Sequence, residues 1–223
     1  MQYLFNDEAG KEALKLKGEE YKYLFKVRRH NVDDILYFRQ REKNEILFKY
    51  KVLSLDARSA SLELISQENR VVQAQNKLHI AWCVIDPKSV EKVLPSLNEL
   101  GVARITFIFC ARSQKNYKID LKRYERILET SSQQCGRSDS IVFETEKSLE
   151  SFIEKNPQTV VLDFCDEILE CKTDVETVLL GCEGGFSQEE RTCFKDLKRF
   201  RLDTPMILRS ESAAIAIASK VLL

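Results

Sequence analysis

The segment that decides the fold is LLGCEGGFSQEE, residues 179–190. Its first letters continue an apolar run, which predicts a buried strand that ends at the first glycine. Gly184 and Gly185 then allow a backbone turn that side chains would forbid, and a ligand can lie against such a turn. Ser187 and Glu190 have the spacing of a capping box, which predicts the start of a helix. The segment therefore indicates either a ligand-binding loop at the carboxyl end of a parallel strand or a tight turn without a ligand.

The sequence around this segment predicts an α/β domain that begins at Leu78. Apolar runs typical of strands covered on both faces alternate with segments of helical spacing. The predicted strands are 78–85, 105–110, 159–164 and 176–181, and the predicted helices are 88–100 and 120–134. Pro95 lies inside the first helix and predicts either a kink or two short pieces. This alternation predicts a mainly parallel sheet with crossover helices.

The first 68 residues predict a small β-barrel. Segments rich in β-forming residues lie at 35–40, 45–53 and 59–65, after a predicted helix at 19–29. The polar stretch 66–77 is interpreted as a linker.

Composition excludes several classes of protein. The 223 residues include 35 Lys and Arg and 35 Asp and Glu, so the chain is too charged for a membrane protein and is not a generally basic nucleic-acid binder. No N-terminal signal peptide is predicted, and a cytoplasmic location is expected. Seven cysteines without a C-x-x-C pair predict reduced thiols and no metal site. Local basic clusters are each either a solvated face or a binding site. They lie at Lys22, Lys26, Arg28, Arg29 and His30; Arg39, Arg41 and Lys43; Lys115, Lys118, Lys122, Arg123 and Arg126; and Lys195, Lys198, Arg199 and Arg201.

Two arginines and the last helix complete the candidate features. Arg112 follows a predicted buried strand, Arg137 follows the glycine that ends a predicted helix, and a guanidinium suits a phosphate or a developing anion. Alone, each arginine is more often an ordinary surface residue than a functional one. In PMILRSESAAIAIASKVLL, 205–223, Ser210 is predicted to cap a helix that is apolar on nearly all sides. Such a helix is buried either inside the fold or against a second subunit.

Taken in order, these motifs resemble those of the RsmE-type 16S rRNA uracil-N3 methyltransferases of the SPOUT superfamily. The segment at 179–190 resembles their IGPEGGFS-x-E. The other matches are LRSESAA (208–214) with LRTETAA, ARS (111–113) with ERS, QCGR (134–137) with EQCGR, ELGV (99–102) with ELGV, and VDDILYF (32–38) with VGDxI. Each match is short, but the ordered set spans nearly the whole chain and is specific.

The resemblance implies a fold and an activity. It implies a PUA-like, RNA-binding barrel at 1–68 and a SPOUT domain at 69–223 that ends in a deep trefoil knot, a rare exception to unknotted chains. It also implies a homodimer with the terminal helix at the interface, S-adenosylmethionine (SAM) as cofactor, and 16S rRNA or the small ribosomal subunit as partner. The same fold could instead methylate a ribose 2′-hydroxyl or a guanine in tRNA, and the chain could be an RNA-binding module without catalysis.

The resemblance also implies roles for individual residues. The cofactor is expected at Leu180, Gly181, Glu183, Gly184, Gly185, Leu208, Ser210 and Ala213. Catalytic roles are expected for Arg112 and Arg137, which would stabilise the uracil anion, and for Arg209 near the cofactor loop. Glu211 is expected either to accept the N3 proton or to be a cofactor-side or structural contact. RNA contacts are expected at Lys22, Lys26, Arg28 and Arg29.

Three positions depart from the family pattern. Cys182 stands where the family has the proline of PEGG, Asp33 where it has the glycine of VGD, and Ser96 where it often has a lysine. Asp tolerates the turn conformations that glycine adopts, so the turn at Asp33 is expected to form.

Overall fold

The computed structural model describes residues 2–113, 116–170 and 175–223. The chain divides into two compact units, the first made of residues 1–73 and 132–139 and the second of residues 74–131 and 140–223. Lys115 of the predicted basic clusters lies outside the described residues.

The first unit is built on a five-stranded sheet in the order β1-β3-β4-β5-β2. The strands are β1 (Leu4–Phe5), β2 (Ala13–Lys17), β3 (Ile35–Arg39), β4 (Ile46–Leu55) and β5 (Ser59–Asn69). Every pairing is antiparallel except that of β1 with β3. Helix α1 (Gly18–Tyr21) runs directly into a π-helix (Lys22–Val27), where the sequence predicts one helix. Because β5 extends to Asn69, the prediction of a linker from residue 66 is wrong for its first four residues.

Alternating burial along the strands forms the core of this unit. On β2, Leu14 and Leu16 are buried while their neighbours are exposed, which is the period of two expected for a sheet with one covered face. Asp33 has a φ of 72°, so this aspartate takes the left-handed conformation that favours glycine, and the predicted turn forms.

The second unit contains a six-stranded sheet in the order β11-β9-β10-β6-β7-β8, and all its pairings are parallel. The strands are β6 (His79–Cys83), β7 (Arg104–Ile108), β8 (Val142–Glu146), β9 (Val160–Leu162), β10 (Thr177–Leu180) and β11 (Arg199–Phe200). The helices are α2 (Pro87–Leu100), α3 (Leu121–Cys135), α4 (Leu149–Lys155), α5 (Gln188–Cys193) and α6 (Ser210–Leu222). The predicted parallel sheet is therefore confirmed, and α2 is a single helix through Pro95.

Two sequence predictions about this unit are wrong. Cys83 and Cys110 form a disulfide, with Cα atoms 5.6 Å apart, so the thiols are not all reduced. These cysteines meet because β6 and β7 are adjacent parallel strands that end side by side. Ser210 does not cap α6, because the N-cap is Arg209 and Ser210 is the first residue of the helix.

Within the described residues, no helix is both long and apolar enough to cross a bilayer.

Candidate active site

A cavity of about 340 Å³ opens at the carboxyl ends of β9 and β10 in the second unit. This edge of a parallel sheet is where ligands bind in open α/β folds. Its lining comes from three loops, which follow β9, follow β10 and precede α6. The lining residues are Leu162, Asp163, Phe164, Leu180, Gly181, Cys182, Glu183, Gly185, Phe186, Arg201, Leu202, Thr204, Met206, Ile207, Leu208, Arg209, Ser210 and Ala213.

The glycine turn after β10 forms one wall of this cavity. The backbone N–H of Gly185 donates to the carbonyl of Cys182 at 2.9 Å, so the turn closes although Cys182 stands in place of proline. Gly185 has a φ of 65°, which is a conformation that side chains strain, and a Cβ added there would point into open space. Gly181 and Gly185 line the cavity, whereas Gly184 is not among its lining residues.

Gly184 instead faces Arg112, which lies in the loop after β7. A Cβ at Gly184 would lie 3.2 Å from Cβ and 3.3 Å from Cδ of Arg112, so a side chain there would push the arginine stem away by a few tenths of an ångström. The Arg112 guanidinium donates to the carbonyl of Gly184 at 2.5 Å. Arg112 is exposed, and it therefore presents a positive charge beside the glycine turn.

The helix that follows the turn begins with the predicted capping box. Ser187 accepts from the backbone N–H of Glu190, and Glu190 accepts in return from the N–H of Ser187 at 2.8 Å. The other carboxylate oxygen of Glu190 accepts from the backbone N–H of Ala111 at 2.7 Å. Through these bonds Glu190 joins the loop after β7 to the loop after β10. Its side chain is buried, with 8% of the residue's surface exposed.

Ser210 fixes the third loop to the sheet. Its hydroxyl donates to the carbonyl of Gly181 at 2.6 Å and accepts from the indole N–H of Trp82, which is fully buried, at 2.8 Å. The start of α6 is thereby held against the ends of β10 and β6. Arg209 is exposed and lines the cavity, while Glu211 is half-buried in the first turn of α6 and is not among the lining residues.

The remaining predicted site residues belong to the first unit. Arg137 has 5% of its surface exposed, and two of its nitrogens donate to the carboxylate of Asp139 at 2.8 and 3.0 Å. All four predicted RNA-binding residues are exposed: Lys22, Lys26, Arg28 and Arg29. Lys22 pairs with Glu19 at 2.7 Å, and the Arg28 guanidinium lies over the ring of Tyr23.

Comparison with known proteins decides the family. The family model described as an RNA methyltransferase domain matches residues 72–222. Ribosomal RNA small subunit methyltransferase E from Helicobacter pylori is 36% identical over 223 residues, which is 98% of each chain. The chain belongs to the ribosomal RNA small subunit methyltransferase E family.

Solved structures share the fold of this family member. A ribosomal RNA small subunit methyltransferase E from Neisseria gonorrhoeae, bound to SAM, has a TM-score of 0.75 at 15% identity, and the match covers 98% of this chain and 95% of that one. A methyltransferase from Legionella pneumophila in complex with SAM has a TM-score of 0.75 at 22% identity over 98% of this chain and 94% of that one.

The methyltransferase E cavity also includes residues that the sequence did not single out. Asp163 and Phe164 follow β9, and Arg201 follows β11. The carboxylate of Asp163 is almost fully buried and forms a bidentate ion pair with Arg191 of α5. The predicted strand at 159–164 could have indicated this loop, because β9 and β10 are parallel neighbours whose carboxyl ends share one edge.

Within the described ranges, no group of three or more His, Cys, Asp or Glu side chains is arranged to hold a metal ion.

Proposed function

We propose that this protein methylates N3 of a specific uridine in 16S rRNA of the small ribosomal subunit, with SAM as methyl donor. The observation that carries the proposal is the cavity at the carboxyl edge of the sheet, with the exposed cation of Arg112 across its glycine turn. The name of the Helicobacter pylori relative supports small-subunit rRNA as the substrate, and the two SAM-bound structures support the cofactor.

The cavity residues fit a cofactor of this kind. An open side at Gly185 lets a ligand approach the backbone closely, and Leu180, Leu208 and Ala213 give apolar surface beside it. The residues that would hold SAM are the predicted ones, namely Leu180, Gly181, Glu183, Gly185, Leu208, Ser210 and Ala213, with Gly184 shaping the turn. Bound SAM supplies an electrophilic methyl group.

The chemistry requires a weak nucleophile to lose the proton on N3. We assign Glu211 as the acceptor of that proton, and Arg112 and Arg209 as the groups that stabilise the negative charge left on the uracil. The catalytic role of Arg137 stays a prediction, because this arginine belongs to the first unit and its buried guanidinium is paired with Asp139. N3 lies on the Watson–Crick edge, so the uridine must be unpaired or flipped out when it reacts.

The first unit is proposed as the PUA-like, RNA-binding part, since its exposed basic residues suit phosphate contacts. We further propose the deep trefoil knot of the SPOUT superfamily around the cavity, because loops from three parts of the chain meet there. A homodimer through α6 and a cytoplasmic location complete the proposal.

Purified protein, methyl-labelled SAM and small-subunit rRNA test this function directly. Label is expected in 3-methyluridine of the rRNA, and calorimetry is expected to detect SAM binding. An RNA-binding module without catalysis would transfer no label and bind no SAM, and a methyltransferase for ribose or tRNA guanine would label a different nucleoside.

A further inference from the structure

We propose that Glu190 positions Arg112 for methyl transfer by holding the backbone of the preceding residue, Ala111. This inference rests on the proposed function of Arg112. It adds Glu190, for which the sequence indicated only a helix cap, to the residues that support methyl transfer.

The two oxygens of the Glu190 carboxylate accept hydrogen bonds from different loops. One accepts from the N–H of Ser187 at 2.8 Å and completes the capping box. The other leaves the helix and accepts from the N–H of Ala111 at 2.7 Å, 79 residues earlier in the chain. A capping box needs only the first of these bonds, so the second is available for another role.

The bond to Ala111 acts on the residue beside it. Ala111 is exposed, and its loop also carries Arg112, whose side chain reaches Gly184. The stem of Arg112 lies against Gly184, and the guanidinium donates to the same residue's carbonyl. The arginine is thus held at its side chain by the glycine turn and at its backbone by Glu190.

Burial makes the hold at the backbone strong. Glu190 is 8% exposed, and a hydrogen bond to a charged acceptor away from water is worth more than a neutral one at the surface. Without it, the loop after β7 is still held by the Cys83–Cys110 disulfide and by the Cys110 N–H, which donates to the Ser113 hydroxyl at 3.3 Å, but neither of these holds the backbone N–H of Ala111. A displacement of Arg112 by about 1 Å can cost roughly 100-fold in rate.

Glu190→Ala tests the proposal in the full-length protein, with Ser187→Ala as the matched control. Both variants weaken the cap, but only Glu190→Ala removes the bond to Ala111. We expect Glu190→Ala to lower kcat by about 10-fold to 100-fold with an unchanged affinity for SAM. Ser187→Ala is expected to keep kcat within about 3-fold of the wild type, since losing a cap costs stability rather than geometry at Arg112.

A double-mutant cycle separates positioning from general structural support. If Glu190 acts through Arg112, then Glu190→Ala should cause no further loss of kcat in an Arg112→Ala protein. Equal losses in both backgrounds, or an equal loss in Ser187→Ala, would overturn the positioning role alone. An Arg112→Ala protein with wild-type kcat would overturn the proposed function of Arg112 and this inference with it.

Glu190→Gln serves if Glu190→Ala does not fold. It preserves the volume and one acceptor oxygen, but its amide nitrogen cannot accept, so one of the two N–H groups loses its partner. When the Ala111 N–H loses its partner, which a crystal structure of the variant shows, kcat is expected to fall in the wild-type background and to be unchanged in the Arg112→Ala background. When the Ser187 N–H loses its partner, kcat is expected to match that of Ser187→Ala. A fall of equal size in both would overturn the proposal.

Discussion

At the scale of single residues, the glycine turn depends on one conformation that only glycine adopts without strain. Gly185 has a φ of 65° and lines the cavity. Gly18 in the first unit has a φ of 61° and equally open surroundings, but it does not line the cavity. The two glycines therefore form a matched pair in which strain is similar and only the proposed ligand differs.

Gly185→Val is expected to abolish detectable SAM binding, because the side chain fills the space beside the turn. Both Gly185→Val and Gly18→Val should lose about 1–2 kcal/mol of stability from the left-handed backbone. Calorimetry with SAM and thermal melts measure the two effects. Normal SAM affinity in Gly185→Val, or an equal loss of affinity in Gly18→Val, would contradict the placement of the cofactor.

A half-buried histidine predicts a pH dependence of stability. Burial lowers the pKa of His79 from 6.5 to about 4, and its ring lies 2.8 Å from the hydroxyl of Thr106. The unfolded chain binds the proton first, so the stability from this group is full above pH 6.5 and is lost as the pH falls towards 4. Denaturant unfolding measures this effect. Between pH 7 and pH 4.5 the free energy of unfolding should fall by about 2 kcal/mol more in the wild type than in His79→Gln. Equal losses of stability in the two proteins would contradict the lowered pKa of His79.

The sequence indicated about half of the cavity at this scale. Gly185, Leu208 and Ser210 were predictable because they lie in the segments 179–190 and 208–214, which match family motifs. Asp163, Phe164 and Arg201 lie in no such motif and were missed, because they line the cavity through the positions of β9 and β11 in the sheet. The disulfide was missed for the same reason, since strand adjacency brings Cys83 and Cys110 together.

At the scale of elements, α6 is less uniformly buried than its sequence predicts. Its buried residues recur every three or four positions, at Ser210, Ala213, Ala214, Ile217, Ala218 and Val221. Ser212 is exposed and Ala216 is half-buried, so one face remains for a partner subunit. Ile217 is fully buried within a single chain and belongs to the core rather than to an interface.

Ala216→Glu is therefore the test of the proposed dimer, and Ile217→Glu is its contrast. The first should convert dimers to folded monomers, because a charge would be left unpaired at the interface. The second should unfold the second unit, because it buries a charge in the core. Light scattering and circular dichroism measure both. A wild-type protein that is monomeric at micromolar concentration would remove the dimer.

Elements with strong apolar patterns were predictable and edge elements were not. Strands β6, β7, β9 and β10 have apolar runs because their side chains lie in the core of the second unit. Strand β8 lies at the edge of the sheet and is largely exposed, so VFETE carries no such run and was missed together with α4.

At the scale of the whole molecule, the division into two units was only partly predictable from the sequence. Residues 132–139 belong to the first unit although they lie far along the chain from it. Tyr3 donates from its hydroxyl to the carbonyl of Arg137 at 2.8 Å, a pairing over 134 positions that no local pattern could indicate. The parallel sheet, by contrast, followed from the alternation of strands and helices.

The balanced net charge means that RNA binding must come from local clusters. If Lys26 and Arg29 contact phosphates, their joint replacement by alanine should reduce the slope of log affinity against log salt by about 2 and leave SAM binding unchanged. Lys88 and Lys92, both exposed on α2, give a control pair with the same loss of charge. An unchanged slope in the first variant, or an equal reduction in the control, would show that the first unit's cluster is only solvated.

The central claim is that this chain methylates N3 of a uridine in small-subunit rRNA. The most direct test is nucleoside mass spectrometry of 16S rRNA from cells that lack the protein. The predicted result is that 3-methyluridine is absent from this RNA, returns when the wild-type protein is supplied, and does not return with Arg112→Ala, because the cation beside the glycine turn is gone. An unchanged amount of 3-methyluridine in the cells that lack the protein, or the loss of a 2′-O-methylated or tRNA nucleoside instead, would contradict the claim.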